Sequence, residues 1–301
     1  HVQDLAGLAF SWPRGVDVPW RRLVFTTHGL LDKDIMSQSA HDWLRKASAP
    51  FRAWLISAVE RRSRARYDHH VVINDYVLSS LPDLQRMSWR SIANPVDRVF
   101  LDEPRNERAS GSHYELLQVG VVNPRKNTLS AIEIICELLA GGLDVRLNIL
   151  GPVTDAAYAD HCKQAARTWG VADAVNFRGA VKPVELAAWM DRSDALLLTS
   201  RQETAPLVIA EAHCRGLPTA APRAFGLPSM VDEHFNGVLM DDVTPRAQAA
   251  CVRRLLERKF DRDRIRAEAI TRYGVDSIVR QTLAFYEAAL AAPPAGRRAR
   301  G

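Results

Sequence analysis

Short apolar runs separated by amphipathic stretches dominate the chain from residue 114 onward. YELLQVGVV reads as a buried strand, NTLSAIEIICELLAGG as a helix opened at Asn127 or Thr128 and closed by glycines, and VRLNILG as the next strand. The alternation continues with helix AAYADHCKQAARTWG, strand AVNFRGAV, helix KPVELAAWMDRSD, strand ALLLTS, helix PLVIAEAHCRG, strand LPTAAP and a short strand near NGVLM. Near-continuous apolar strands with helices between them predict a parallel, doubly wound α/β sheet covered on both faces.

Residues 1–100 follow the same alternation less fully. A helix is expected after HVQD, then strand RRLVFTTHG, a long helix within 40–66, strand HHVVIND and helix YVLSSLPD. SIANPVDRVFLDEPRNERASGS is polar and proline-bearing, as linkers between domains are. The pattern therefore predicts a partial Rossmann-like domain over 1–105, a second over 106–275, and a C-terminal helix with a basic tail over 276–301 crossing back to the first. The first domain is too short to be complete, and HVQDLAGLAF resembles a strand end running into a helix, so upstream sequence is expected. In the long helix, Trp43, Ala47, Phe51, Trp54, Leu55 and Ala58 fall near helical spacing beside an arginine cluster. A core-facing helix with a solvated basic face and an interfacial membrane helix both fit, and Pro50 predicts a break.

Composition narrows the class. With 301 residues, 47% hydrophobic and 25% charged, the chain is ordinary globular material sized for about two domains. No run approaches the ~18 apolar residues of a membrane span and no signal peptide opens the chain, so a cytoplasmic protein is expected, with the inner membrane face as a second location. Cys136, Cys162, Cys214 and Cys251 are widely spaced without a metal-binding pairing, as free thiols in a reducing compartment would be. The net charge of +5 rests on arginine, since six of the 40 basic residues are lysines. It favours phosphorylated ligands or anionic lipids; nucleic acid is not expected, because no recognition motif for it is present.

Ligands of doubly wound sheets gather at the carboxyl ends of the strands, beside helix N-termini. Three strand ends carry chemistry. VGVVNPRKN puts Arg125 and Lys126 between a strand and a helix, which suits a diphosphate, although a solvated basic loop reads equally well from this segment alone. RQETAPLVIAEA puts Glu203 in a loop, Pro206 at the expected first helical position and Glu211 further inside. Eight residues turn a helix about 80° beyond two full turns and advance it ~12 Å, so both carboxylates can line one side of a cleft and accept from sugar hydroxyls. The alternative for Glu203 is a first-turn carboxylate paired with the helix dipole. VFTTHGLLDKD ends a strand with His28 and Gly29, where a structural histidine is the commoner outcome. A DxD-like metal role for Asp32 and Asp34 is weak, since that spacing recurs by chance.

Together VGVVNPRKN, LNILG, VNFRGAV, ALLLTSRQETAPLVIAEAHCRGLPTAA and FGLPSMVDEHFNGVLM resemble the retaining GT-B glycosyltransferases of glycosyltransferase family 4. THG, VVINDYV and NPVD extend the resemblance into the first domain, with Asn74 where a serine is usual. It implies two Rossmann-like domains facing a cleft, the N-terminal one incomplete here because the family's first strand and Gly-rich loop are absent. It assigns Glu203 to hydroxyls of the transferred sugar, Glu211 to the ribose, Lys126 to the diphosphate and His28 to the donor sugar. Gly151, Val181, Thr204, Ala205, Pro206 and Leu207 join the donor site, and Arg125 substitutes for the usual arginine at Val121. The implied reaction moves a sugar from a nucleotide diphosphate to a hydroxyl of a sugar, lipid-linked or natural-product acceptor with retention, using no metal and no cofactor beyond the donor. An epimerase, a phosphorylase or a non-catalytic nucleotide-sugar-binding module would share the cleft.

Overall fold

The computed structural model describes residues 2–3, 24–28, 30, 43–65, 67–101, 113–241 and 244–291. The helix expected after HVQD, Gly29, Asp32 and Asp34, residues 102–112 of the polar stretch and the basic tail lie outside them. The chain forms two compact units, His1–Asn94 with Asp276–Gly301, and Pro95–Val275.

The first unit holds a parallel sheet in the order β1 (Val2–Gln3), β2 (Val24–Thr27), β3 (His69–Val72) and β4 (Ser88–Ser91). Helix α1 (Trp43–Arg64) joins β2 to β3, and α2 (Asp75–Ser80) follows β3. Asn74 caps α2, its side chain accepting from the Val77 N–H at 3.0 Å, a role serine fills equally well. Val24, Val71 and Ile92 pack with Ile278 and Phe285, so the helix that follows Gly274 completes this core.

Two features differ from expectation. Helix α1 runs through Pro50 without stopping. The proline is exposed, so its ring lies on the solvent side of the helix. Strand β4 carries the sequence SWRS and is exposed along its whole length at the sheet edge, so no apolar run announces it.

The second unit is a six-stranded parallel sheet built from β5 (Tyr114–Val119), β6 (Val145–Leu150), β7 (Val175–Gly179), β8 (Ala195–Leu197), β9 (Thr219–Pro222) and β10 (Gly237–Met240). Their order is β10-β9-β8-β5-β6-β7. The covering helices are α3 (Thr128–Ala140), α4 (Ala156–Thr168), α5 (Pro183–Arg192), α6 (Leu207–Cys214), α7 (Pro245–Glu257) and α8 (Arg262–Tyr273). Helix α9 (Val275–Ala291) then leads back into the first unit. Leu116, Leu147, Ile149, Leu197 and Ala220 from the strands meet Ala131, Ile132, Ile135 and Val252 from α3 and α7 in one buried cluster. A leucine-to-alanine change there removes roughly 2–5 kcal/mol.

Caps set the helix starts. The side chain of Asp155 accepts from the Tyr158 N–H at 2.9 Å, that of Asp261 from the Arg264 N–H at 2.9 Å, and Glu185 from the Lys182 N–H at 3.1 Å. Part of the polar stretch read as a linker is structured in this unit: Val96 pairs with Gly274, and Phe100 is buried at the end of a short 3₁₀ turn, Arg98–Phe100. Buried Arg215 closes on Asp191 through two hydrogen bonds of 2.8 and 2.5 Å, which satisfies both charges inside the core.

Candidate functional site

The strand order reverses between β5 and β8. From β5 the chain winds to β6 and β7 on one side, and from β8 to β9 and β10 on the other. At such a switch the connections diverge and leave a crevice at the carboxyl ends of the two middle strands. The loops there are 120–127, after β5, and 198–206, after β8. They carry Arg125, Lys126 and Glu203.

The first loop is held by buried polar groups. Thr199 Oγ1 lies 3.2 Å from the Lys126 carbonyl and 2.9 Å from the Asn127 carbonyl, and Gln118 donates to Thr199 Oγ1 at 3.0 Å. Asn123 accepts from the Lys126 N–H at 3.0 Å, and the Arg201 N–H donates to the Arg125 carbonyl at 2.9 Å. Asn127 adopts the left-handed conformation at φ 54°, which asparagine tolerates, and starts α3.

Two glycines make room for this arrangement. Gly120 has φ +141°, and a Cβ there would sit 3.1 Å from Lys126 Cε, against the arm that carries the ammonium. Gly151, at the end of β6, also has φ +141°, and a Cβ there would meet the Gly120 carbonyl oxygen at 2.1 Å. Only glycine allows the loops after β5 and β6 to approach this closely.

At the centre Lys126 Nζ stands 2.5 Å from Glu203 Oε1, and Arg125 Nη1 is 3.8 Å from the same oxygen. Arg125 also donates to the Gln202 carbonyl at 3.1 Å. Glu203 is 7% exposed, and its own carbonyl accepts from the Gly226 N–H. Two cations thus converge on one carboxylate, leaving one positive charge in excess at a strand end. Helix α6 begins at Leu207, with Pro206 in the capping position at ψ 119° rather than as its first helical residue. The fixed φ of proline suits either position. Thr204 and Ala205 are half-buried, Pro206 is buried and Leu207 is exposed.

Glu211, on α6, belongs to a different environment. It lines a cavity of about 550 Å³ with Pro95, Val96, Asp97, Arg98, Leu207 and Val275, in which Glu203 takes no part. Burial and the neighbouring negative charge of Asp97 push its carboxyl up to about 7. One glutamate is therefore held by cations and the other is crowded by a second carboxylate. Gly151 and Val181, half-buried after β6 and β7, stand at neighbouring strand ends. In the first unit His28 follows β2, with its Nδ1 3.0 Å from Asn94 Oδ1. Among the described residues no group of three or more His, Cys, Asp or Glu side chains is placed to hold a metal ion.

Sequence reading missed Gln118, Asn123, Thr199, Asp97 and Asn94. Gln118 had a signal, an amide next to the apolar pair Leu116 and Leu117 inside a strand. The others are polar residues at strand or loop ends, which any loop contains.

The family described as glycosyl transferases group 1 matches residues 99–272, more than half of the chain. A D-inositol 3-phosphate glycosyltransferase of Nocardioides sp. is 29% identical over 191 residues, covering 58% of this chain and 42% of the relative. The chain thus spans less than half the length of that curated relative. Among solved structures, sucrose-phosphate synthase from Thermosynechococcus elongatus superposes with a TM-score of 0.73 at 18% identity, over 97% of this chain and 73% of that one. Anabaena Alr3699/HepE, in complex with UDP and glucose, gives 0.65 at 16% identity, over 88% of this chain and 77% of that one. At these identities the structures establish the fold, which is that of the GT-B glycosyltransferases.

Proposed function

Because the chain belongs to the group 1 glycosyl transferases, we propose that the protein transfers a sugar from a nucleotide diphosphate donor to an acceptor hydroxyl with retention of configuration. The observation that carries this reading is the convergence of Lys126, Arg125 and Glu203 at the topological switch of the second unit. In the reaction the bond from the anomeric carbon to the diphosphate oxygen breaks, and the acceptor oxygen bonds to the same face. The acceptor proton passes to the departing phosphate. As that bond breaks, negative charge grows on the diphosphate, and preorganised cations and N–H dipoles lower the barrier by meeting it there.

Lys126, Arg125 and the N–H groups of Thr204, Ala205 and Leu207, on either side of Pro206 at the start of α6, supply that charge compensation without a metal. Glu203 accepts from sugar hydroxyls, His28 positions the sugar, and Glu211 in its cavity accepts from the ribose. Gly151 and Val181 complete the donor side. The glycosyltransferase name of the curated relative and the UDP and glucose named for HepE favour transfer over epimerisation, phosphorolysis or binding alone.

The acceptor is a hydroxyl of a sugar, a lipid-linked intermediate or a natural product. Four free thiols support a reducing compartment. Contact with an anionic membrane face is supported by α1, where Phe51 and Trp54 stack in the open, 65% and 63% exposed, beside exposed Leu55, Arg52, Arg61 and Arg62. No helix among the described residues is long and apolar enough to cross a membrane.

The test is mutational. In the full-length protein Lys126→Ala and Glu203→Ala should each lower sugar transfer by ~100-fold or more, the scale for a lost transition-state contact. Near-normal rates in either variant would remove the assignment.

A further inference from the structure

Resting on the assignment of Lys126 and Arg125 to the donor diphosphate, we propose that Glu203 has a second role: it competes with the nucleoside diphosphate for these cations and so speeds the release of that product. The cations that suit a diphosphate already share one carboxylate oxygen, at 2.5 Å from Lys126 and 3.8 Å from Arg125. The side chains of Lys126 and Glu203 are 16% and 8% exposed, so water screens their attraction poorly. An anion can claim these cations only at the expense of Glu203.

The surroundings restrict how the exchange occurs. The backbone of residues 125–127 is hydrogen-bonded to Thr199, Gln118 and Arg201, which holds the loop in place. What is left to move is the four-carbon arm of Lys126, which passes over Gly120 where no side chain obstructs it. The ammonium can therefore swing between a carboxylate and a phosphate while its backbone stays fixed.

The consequence separates substrate from product. With an intact sugar nucleotide, the sugar hydroxyls compensate Glu203 for the lost ion pair. Once the sugar has been transferred, the carboxylate has no hydroxyl partner and reclaims Lys126, weakening the hold on the diphosphate that remains. Pairing with Glu203 and binding of the diphosphate are thus negatively coupled, and removing the carboxylate tightens product binding.

Calorimetric titration of the full-length protein with UDP, ADP and GDP tests this. Glu203→Gln keeps the shape of the side chain and removes its charge. It should bind whichever diphosphate the native protein binds at least about fivefold tighter, the lower end of typical coupling between sites. In a Lys126→Met background the same substitution should tighten binding less than it does in the native protein, because only the more distant Arg125 is left for the carboxylate to hold.

A merely structural Glu203 would lose affinity on substitution. Equal or weaker binding by Glu203→Gln, with clear binding by the native protein, overturns the competition and leaves the glycosyltransferase reading in place. Failure of the native protein to bind any of the three diphosphates overturns both.

Discussion

Glu203 and Glu211 stand eight residues apart and do opposite electrostatic work. Glu203 is neutralised by Lys126 and Arg125, whereas Glu211 sits half-buried near Asp97 with its carboxyl raised to about 7 from 4.5. A raised carboxyl binds its proton more tightly in the folded protein than in the unfolded chain. Its contribution is therefore neutral at low pH, grows unfavourable as pH rises from about 4.5 to 7, and stays so above that range. Replacing Glu211 by glutamine should stabilise the protein at pH 8 by on the order of 2 kcal/mol relative to its effect at pH 4. Urea denaturation at the two pH values measures the difference, and an equal effect at both would show that Glu211 is not crowded in this way. The glutamate pair was legible in the sequence because carboxylates are conspicuous in an apolar run. Their unlike surroundings were not, because Asp97 lies more than a hundred residues away in the chain.

Among the elements, those with strong periodicity were readable and those defined by tertiary context were not. Every strand from β5 to β10, the helices α3 to α6 and the C-terminal α9 follow a pattern visible in the sequence. β4 was silent because it is a polar edge strand, and α1 continues through Pro50 because its proline faces water. The start of α6 shifted by one residue, within the usual uncertainty of helix ends. The outward face of α1 has its own test. Phe51, Trp54 and Leu55 present apolar area with Arg61 and Arg62 continuing the same face, while Glu60 is paired with Arg64. Changing Phe51 and Trp54 together to serine should reduce binding to phosphatidylglycerol vesicles at least about tenfold in co-sedimentation, with little effect on folding because both rings are exposed. Unchanged binding, or equal binding of the native protein to phosphatidylcholine vesicles, would contradict an anionic membrane contact.

At the scale of the whole molecule, the strand order is what converts scattered motifs into a site. A sequence of alternating strands and helices announces a parallel sheet, but it does not say which strands are neighbours, since many orders obey the same alternation. The placement of β5 beside β8 brings the loop at 120–127 to the loop at 198–206, and that adjacency joins Lys126 to Glu203 across 77 residues. The glycines at 120 and 151 then read as requirements of the site rather than as loop punctuation. Glycosyl transfer is measured most directly by the release of nucleoside diphosphate from the full-length protein. A panel of sugar nucleotides would be offered with sugar and lipid-linked acceptors, and diphosphate release and glycosylated product quantified together. Equimolar diphosphate and product are expected from one donor class, with the donor's anomeric configuration kept in the product. Sugar nucleotides that bind without releasing diphosphate to any acceptor, or a product of inverted configuration, would contradict it.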